Sequence, residues 1–319
     1  MRRWLVSLLM GLGVIGAASL ALAYVGNWFI RKSLRGPQMV CWVTSKGIRA
    51  ALATDSALAT LPLYSAGSVK ITSGYEGIGY RQSSLGSYTN GYYIDRFFQE
   101  CDAARVSRCG WGYHYLPNVD QARTEGAHAA HASLYHEVKA YSCNAEVQWL
   151  KGRSDYKDKP WMKAPHLRAT LLAFEEAFRS VAPGIRLNVC AAMFSAEAVK
   201  ALDPHTMARF DGMERMCFGG TAKTRRKQYT TARDAAARAR QIRQDFSFQP
   251  IWASGSVESK MTYAGVPSEV LQLEAEMPTG MLAVYYGNYA GMMWAKGNAY
   301  SPSWAHIIGA LQGRGTLTG

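Results

Sequence analysis

Acidic residues are scarce in this chain: it has 23 Asp and Glu against 36 Lys and Arg, which gives a formal net charge of +13. Such an excess of positive charge indicates an anionic partner or surface, for example nucleic acid, phospholipid or an anionic cell-wall polymer. No nucleic-acid-binding motif is recognisable, so we do not expect nucleic acid to be the partner. Eight basic residues cluster around one predicted helix. This cluster is either a solvated helix face or a contact for an anionic wall polymer or lipid headgroups. Its members are Lys223, Arg225, Arg226, Lys227, Arg233, Arg238, Arg240 and Arg243.

Metal-binding spacings are also missing. The six cysteines form no CxxC pair and show no zinc-type spacing with the histidines. His128 and His131 lie three residues apart on a predicted helix, but most such pairs are surface histidines. We therefore expect no metal and no cofactor. In an exported chain Cys101 and Cys109 are candidates for one disulfide, whereas the other four cysteines fall in predicted strands and are expected to be buried thiols.

Gly-rich phosphate turns, internal repeats and low-complexity linkers are absent as well. After Pro37, short apolar runs alternate with amphipathic stretches, and eight strands alternating with helices are the pattern of a (β/α)8 TIM barrel. A doubly wound open sheet is the alternative, but no Gly-rich turn follows the first strand. We expect residues 36–319 to form one barrel domain. Its predicted strands are Met39–Thr44, Val69–Ser73, Cys109–Tyr115, Ala140–Val147, Arg186–Ala192, Gly212–Phe218, Pro250–Ala253 and Met281–Tyr286.

One long uncharged run is present, at the amino terminus. It extends from Trp4 to about Gly26 and follows two arginines, so it predicts either a transmembrane anchor or a secretory signal. The small-x-small pattern Ala21-Leu22-Ala23 favours cleavage, and the length of the run favours a retained anchor. Both alternatives stay open. In either case residues 1–35 form a segment that directs export, so the domain is expected to be inner-membrane anchored and face the periplasm or cell exterior, or to be secreted.

The fourth predicted strand has an unusual polar ladder. Read with a period of two, it places one row of polar side chains on the same face and apolar ones on the other. Buried strands normally hide apolar groups on both faces, and the interior of a catalytic barrel is one of few places where such a row is useful. The polar row consists of Ser142, Asn144, Glu146 and Gln148.

The strand ends taken together are rich in aromatic residues and amides and poor in charge. Flat aromatic walls with a few polar groups suit a carbohydrate better than a phosphate or a metal, although single aromatic residues often simply pack in the core. We expect the sugar-binding residues to come from these ends, and they are Glu76, His114, Tyr115, Gln148, Trp252, Tyr286 and Asn288.

Two carboxylates, or one carboxylic acid and a substrate amide, can cleave a glycosidic bond. Most retaining glycosidases use two carboxyl groups about 5 Å apart. Glu76 or Glu258 is a candidate partner for Glu146 in that scheme. In the other scheme the 2-acetamido group of the sugar is the nucleophile, so the protein must orient this group and protonate the leaving oxygen. Asn144 and Glu146 share one face of the strand and suit these two roles.

Part of the chain resembles glycoside hydrolase family 25, a family of lysozymes. The segment Gly112–Leu116, followed by Gln121-Ala122, is similar to the family's G-x-YHF…A…A motif, and the segment 70–77 ends in Glu-Gly as the family's second strand does. Asn144-Ala145-Glu146 falls where the family has Asp-x-Glu. The resemblance covers about the first half of the barrel, and it implies that Glu146 is the general acid of a peptidoglycan hydrolase.

The chain departs from that family at two carboxylates. The first strand lacks the family's Asp, and Asn144 replaces the second catalytic Asp. An Asn-x-Glu pair resembles that of the family 85 endo-β-N-acetylglucosaminidases, in which the amide orients the acetamido group. The sequence therefore predicts a glycosidase acting on N-acetylated cell-wall glycan. The alternative is a catalytically inactive barrel that serves as a glycan-binding or structural envelope module.

Overall fold

Eight parallel strands form a closed barrel, in which each strand pairs with its successor in the chain and the last pairs with the first. This arrangement confirms the predicted eight-stranded parallel α/β barrel of TIM type and excludes the doubly wound open sheet. The strands are β1 (Gln38–Val43), β2 (Ala66–Ser73), β3 (Ser107–His114), β4 (Ala140–Ala145), β5 (Arg186–Cys190), β6 (Gly212–Met216), β7 (Ser247–Ala253) and β8 (Met281–Tyr286).

A computed structural model provides the structure, and it leaves the predicted amino-terminal segment, residues 1–35, outside the described residues. No helix in the described part of the chain is long and apolar enough to cross a membrane. The described residues are 38–43, 61–73, 88–114, 116–145, 164–190, 199, 202–218, 221–253, 270, 272–273, 276–277 and 281–286.

Helices cover the outside of the barrel, and short polar motifs fix where they begin. Asn118 accepts a hydrogen bond from the backbone N–H of Gln121 (2.8 Å) and caps the second helix, while Asp203 caps a single turn that begins at the next residue, a proline. The helices are α1 (Tyr88–Ala103), α2 (Val119–Tyr135), α3 (Ala164–Val181), α4 (Pro204–Met207) and α5 (Ala222–Arg240).

The two faces of the sheet contact different surroundings. The outer face packs on the helices in one large apolar core, and a smaller apolar cluster fills the barrel. In β4, Tyr141, Cys143 and Ala145 belong to the outer core, while Ser142 lines a cavity inside the barrel. Alternation puts Asn144 on the inner face with Ser142. The predicted alternation is thus confirmed as far as Ala145.

The cysteines are all free thiols. Cys101 lies in the outer core on α1, whereas Cys109 lines the cavity inside the barrel. The disulfide between them was a wrong expectation, because the two side chains lie on opposite sides of the sheet. Burial raises the pKa of both thiols to about 12, so they stay protonated near neutral pH. The other four cysteines are buried, as predicted.

Candidate active site

Asn144 stands next to the carboxyl end of β4, the end at which barrel enzymes hold their reacting groups. In the strand pairing it lies beside Tyr113 of β3 and Cys190 of β5, and its side chain is fully buried. A primary amide both donates and accepts hydrogen bonds. The position and chemistry of Asn144 therefore suit a group that orients a polar substituent of a substrate.

Two stacked indoles fill the middle of the barrel. The rings of Trp42 on β1 and Trp111 on β3 are nearly parallel, with centroids 4.8 Å apart and an interplanar angle of 9°. The indole N–H of Trp111 donates to the carbonyl oxygen of Val43 at 3.0 Å, which satisfies its buried donor and fixes the ring. Trp42 of this tryptophan pair also lines a cavity at the amino end of the barrel interior.

An aromatic residue and a cation border the carboxyl end above the tryptophan pair. Tyr113 is partly exposed and meets Trp111 edge-on, with ring centroids 5.0 Å apart. The ammonium of Lys70 lies 4.4 Å from the centroid of the Tyr113 ring, within cation–π distance. Neither residue was among the predicted site residues. A flat ring held by a tryptophan and a cation is a suitable surface for stacking a sugar.

His114 does not line the interior, contrary to the prediction. It points outward, where its Nδ1 is 2.9 Å from Oε2 of Glu125 and its Nε2 is 2.7 Å from the hydroxyl of Tyr141. The same hydroxyl is 2.5 Å from Oγ1 of Thr72. These four residues form a buried chain of hydrogen bonds, here called the outer polar chain. The physical reason is strand parity: Tyr113 occupies the inner face, so its successor must face the helices.

The outer polar chain depends on a glycine beside it. A Cβ atom at Gly112 would collide with Oγ1 of Thr72 and the hydroxyl of Tyr141. The absence of a side chain at this position therefore gives the two hydroxyls room to meet.

Trp252 also lies on the outer face rather than in a sugar site. Its ring stacks on Tyr229 of α5, with centroids 6.1 Å apart, and it is fully buried in the core between sheet and helices. Its neighbour Ile251 belongs to the inner cluster, so alternation turns Trp252 outward. The expected role in sugar binding is wrong for this residue.

The remaining predicted site residues lie outside the side chains that the structure describes. Tyr286 is the last residue of β8, and its side chain is outside the described set. The other residues lie outside the described part of the chain altogether, and they are Glu76, Tyr115, Glu146, Gln148 and Asn288.

The sequence interpretation missed a buried carboxylic acid inside the barrel. Glu214 of β6 faces the amino-end cavity, where its Oε1 accepts hydrogen bonds from Ser142 (2.7 Å) and Asn188 (2.9 Å). Burial raises the pKa of Glu214 to about 7, although both hydrogen bonds and the charge of Arg186 oppose this shift. A glutamate inside a predicted strand was the available signal, but it did not reveal which face Glu214 occupies.

The predicted basic cluster is partly neutralised. Arg226 pairs with Glu276 at 2.5 Å, Arg243 pairs with Asp211, and Arg225 is buried. Lys223, Lys227 and Arg240 are exposed on α5 or at its end. No group of three or more His, Cys, Asp or Glu side chains that could hold a metal ion occurs among the described residues.

Comparison with known proteins gives the fold but no family. No family model and no curated protein matches this chain. Among solved structures it is similar to a chitinase from Rhizomucor miehei (TM-score 0.55, 8% identity, 86% of this chain and 99% of that one). It is also similar to the PgaB (BpsB) glycoside hydrolase domain from Bordetella bronchiseptica (0.54, 8%, 85% and 99%) and to a GH18 chitinase from Pseudoalteromonas aurantia (0.51, 8%, 83% and 99%).

Proposed function

We propose that this protein is a glycoside hydrolase that cleaves N-acetylated cell-wall glycan, with peptidoglycan as the expected polymer. The observation that carries the proposal is the buried amide of Asn144 on the inner face at the carboxyl end of β4. That is the end where a barrel holds its reacting groups. A glycosidase fold is supported by three similar structures that are named as chitinases or as a glycoside hydrolase domain.

The proposed reaction uses the acetamido group of the substrate as nucleophile. Asn144 accepts a hydrogen bond from the acetamido N–H, which directs the carbonyl oxygen at the anomeric carbon. Glu146 donates its proton to the glycosidic oxygen as the bond to the leaving sugar breaks. The resulting cyclic oxazolinium ion is opened by water, whose proton returns to Glu146. Family 18, to which one of the similar structures belongs, is among the families that use substrate assistance.

Aromatic residues supply the proposed sugar platform. Tyr113 is partly exposed at the carboxyl end, and Lys70 and Trp111 hold its ring. A sugar ring stacked on Tyr113 would lie beside Asn144, because the two residues are paired across β3 and β4. Glu76, Tyr115, Gln148, Tyr286 and Asn288 remain proposed sugar contacts on the basis of the sequence.

Turnover by the purified chain tests the proposal. Peptidoglycan and N-acetylated chitin oligosaccharides are incubated with the wild type, and new reducing ends are measured. We expect Glu146→Gln to lower turnover by at least about 100-fold, since general acid catalysis contributes about that much. Glu176→Gln, which changes an exposed carboxylate on α3, serves as the matched control and is expected to keep full activity. Undiminished turnover in Glu146→Gln would sink the assignment.

A glycan-binding module is the second candidate. The described inner-face residues next to the carboxyl end include Lys70, Tyr113 and Asn144, which suit the binding of a sugar ring. In that case the wild type binds the glycan and releases no reducing ends, and Tyr113→Ala weakens binding. Retention on insoluble peptidoglycan distinguishes this candidate from an inert structural barrel.

The cellular setting is proposed from the sequence. The uncharged run near the amino terminus favours export, with the domain anchored at the membrane or secreted. The exposed basic residues of α5 would then face an anionic wall polymer or lipid headgroups. Fractionation of cells that express the full chain tests this setting, because an anchored protein remains with the membranes after a high-salt wash.

A further inference from the structure

A cavity of about 280 Å³ occupies the amino end of the barrel, where Trp42 of the tryptophan pair is part of its lining, and the proposed active site lies at the carboxyl end. Its lining includes the exposed residues Ser65, Ser107 and Arg186, so it opens to solvent between the first residues of the strands. Deeper inside, the lining combines buried apolar side chains such as Trp42 with buried polar ones, and the polar ones are Ser68, Ser142, Asn188, Glu214 and Gln249.

Three buried oxygen atoms of this lining have no protein hydrogen-bond partner among the described residues. They are Oε2 of Glu214, Oδ1 of Asn188 and Oγ of Ser68. The other oxygen of Glu214 is already used, because it accepts hydrogen bonds from Ser142 and Asn188. All three free atoms can accept hydrogen bonds. The amide oxygen of Asn188 only accepts, and so does the free oxygen of Glu214 above about pH 7, where the acid is ionised. At such a pH a ligand that suits the cavity donates hydrogen bonds.

Charge narrows the chemistry of this ligand. Glu214 is the one carboxylate among the described residues that line the cavity, and it is 2% exposed, so its negative charge is costly unless a cation compensates it. The other charged or titratable lining groups are Arg186 and the thiol of Cys109. Arg186 is held at the exposed rim, where its guanidinium donates to the carbonyl oxygen of Asp211 (3.1 Å) and to Ser247 (3.2 Å). The depth of the cavity thus offers one carboxylate and neutral acceptors.

We propose that this cavity is a binding site for a small molecule bearing a primary ammonium group, which sits against Glu214 and Asn188. An ammonium donates up to three hydrogen bonds and supplies the compensating charge. Only one carboxylate is present, and no metal-holding group of His, Cys, Asp or Glu exists among the described residues, so an amine fits this donor set better than a divalent metal. The site is independent of the proposed glycosidase function, because it lies at the opposite end of the interior.

Two probes of equal size test the proposal on the full chain. Ethanolamine and ethylene glycol differ only in an ammonium group that replaces a hydroxyl. By calorimetry or ligand-observed NMR near pH 8 we expect ethanolamine to bind in the millimolar range, as is usual for so few atoms. Ethylene glycol should bind at least about tenfold more weakly, since hydrogen bonds to charged groups are the stronger ones.

A variant of Glu214 and a pH series test whether ethanolamine binds at the carboxylate of this residue. Glu214→Gln keeps the size and one acceptor but loses the charge, so ethanolamine should bind it no better than ethylene glycol. Glu176→Gln should bind like the wild type. Since the raised pKa of Glu214 is about 7, ethanolamine affinity should fall roughly tenfold from about pH 8 to about pH 6.

Three outcomes would overturn the proposal. Equal binding of the two probes would indicate a site for neutral hydrogen-bond donors. Binding of neither probe would indicate that the cavity holds only water. Unchanged ethanolamine binding in a folded Glu214→Gln variant would place the amine elsewhere. Circular dichroism of each variant establishes that it is folded before binding is measured.

Discussion

Two buried carboxylic acids, Glu125 and Glu214, lie on opposite faces of the same barrel and have different surroundings. Glu125 faces outward and ends the outer polar chain, in which His114, Tyr141 and Thr72 connect by side-chain hydrogen bonds. Glu214 faces inward and borders a cavity that reaches solvent. A chain of hydrogen bonds inside a packed layer holds the sheet and a helix together, whereas an acid beside a cavity has room for a ligand.

The comparison teaches which buried polar groups are candidates for function. Both acids keep one oxygen without a protein partner among the described residues. Only Glu214 shares its cavity with further unpartnered acceptors, on Asn188 and Ser68. Burial and polarity alone would have ranked the two acids equally, so the open space beside the acid makes the difference.

The largest expected effect comes from breaking the outer polar chain. His114→Leu removes the partner of Glu125 and one partner of Tyr141, and it leaves an uncompensated carboxylic acid in the core. We expect the free energy of unfolding to fall by about 3–5 kcal/mol, as for other buried pairs that lose one member. Denaturant unfolding monitored by circular dichroism measures this loss.

Two companion variants make that result specific. His131→Leu changes an exposed histidine of α2 and should leave the stability almost unaltered. Adding Glu125→Leu to His114→Leu should restore part of the lost stability, because the unpaired acid is then absent. A loss below about 1 kcal/mol in His114→Leu would mean that the outer polar chain contributes little.

The inner acid should respond to pH in the opposite sense to a salt-bridged one. The pKa of Glu214 is raised to about 7 from its ordinary value, so the folded state binds its proton more tightly than the unfolded state does. Its contribution to stability is complete below the unfolded pKa and is lost as pH rises through about 7. The wild type should therefore lose about 3 kcal/mol relative to Glu214→Gln between about pH 4 and pH 8.

Unfolding curves of both proteins across this range measure the difference. The comparison with the variant removes the contributions of all other titrating groups. A constant difference would show that Glu214 titrates normally and is not in a dry environment. A growing advantage of the variant would mean that the native acid is kept at a cost in stability, as is common at binding sites.

Strand periodicity was sufficient for the barrel and for the faces of β4. A period of two could not by itself assign the faces of β6, and in β3 the assignment depends on the sizes of the side chains. In β3, His114 was the chemically attractive residue, but Trp111 and Tyr113 alternate with Gly110 and Gly112, and this pattern of bulky and small residues put the aromatic rings inside. The pattern was visible in the sequence and would have predicted Tyr113 as the inner residue.

Other features depend on contacts between distant parts of the chain. Glu214 and Arg215 are adjacent in β6, so one must face inward, and the local sequence does not decide which. Glu214 faces inward because it accepts hydrogen bonds from Ser142, which is 72 residues away, and from Asn188, which is 26 residues away. The prediction began β7 at Pro250, but the strand begins at Ser247. Up to Pro250, β6 is the only described strand that pairs with β7. Proline is tolerated on such an edge, so Pro250 does not mark the start of the strand.

The smallest expected effect tests how tightly the outer layer is packed. Gly126 lies where α2 crosses α3, and a Cβ atom there would press into the backbone carbonyl of Phe174. Gly126→Ala should therefore lower the free energy of unfolding by about 1–3 kcal/mol, in spite of the better helix propensity of alanine. Thermal unfolding detects a change of this size in the melting temperature.

Gly184→Ala adds the same methyl group where nothing lies within 4 Å and is the matched control for Gly126→Ala. Its backbone is not in the left-handed region, so alanine should be neutral or should stabilise the protein by up to about 1 kcal/mol through the unfolded state. Opposite signs for the two substitutions would establish that the layer holding Glu125 is closely packed, unlike the open cavity beside Glu214. If Gly126→Ala were as stable as Gly184→Ala, the helices would have room to move apart. The layer around Glu125 would then not be closely packed, and the contrast with the open cavity beside Glu214 would not hold.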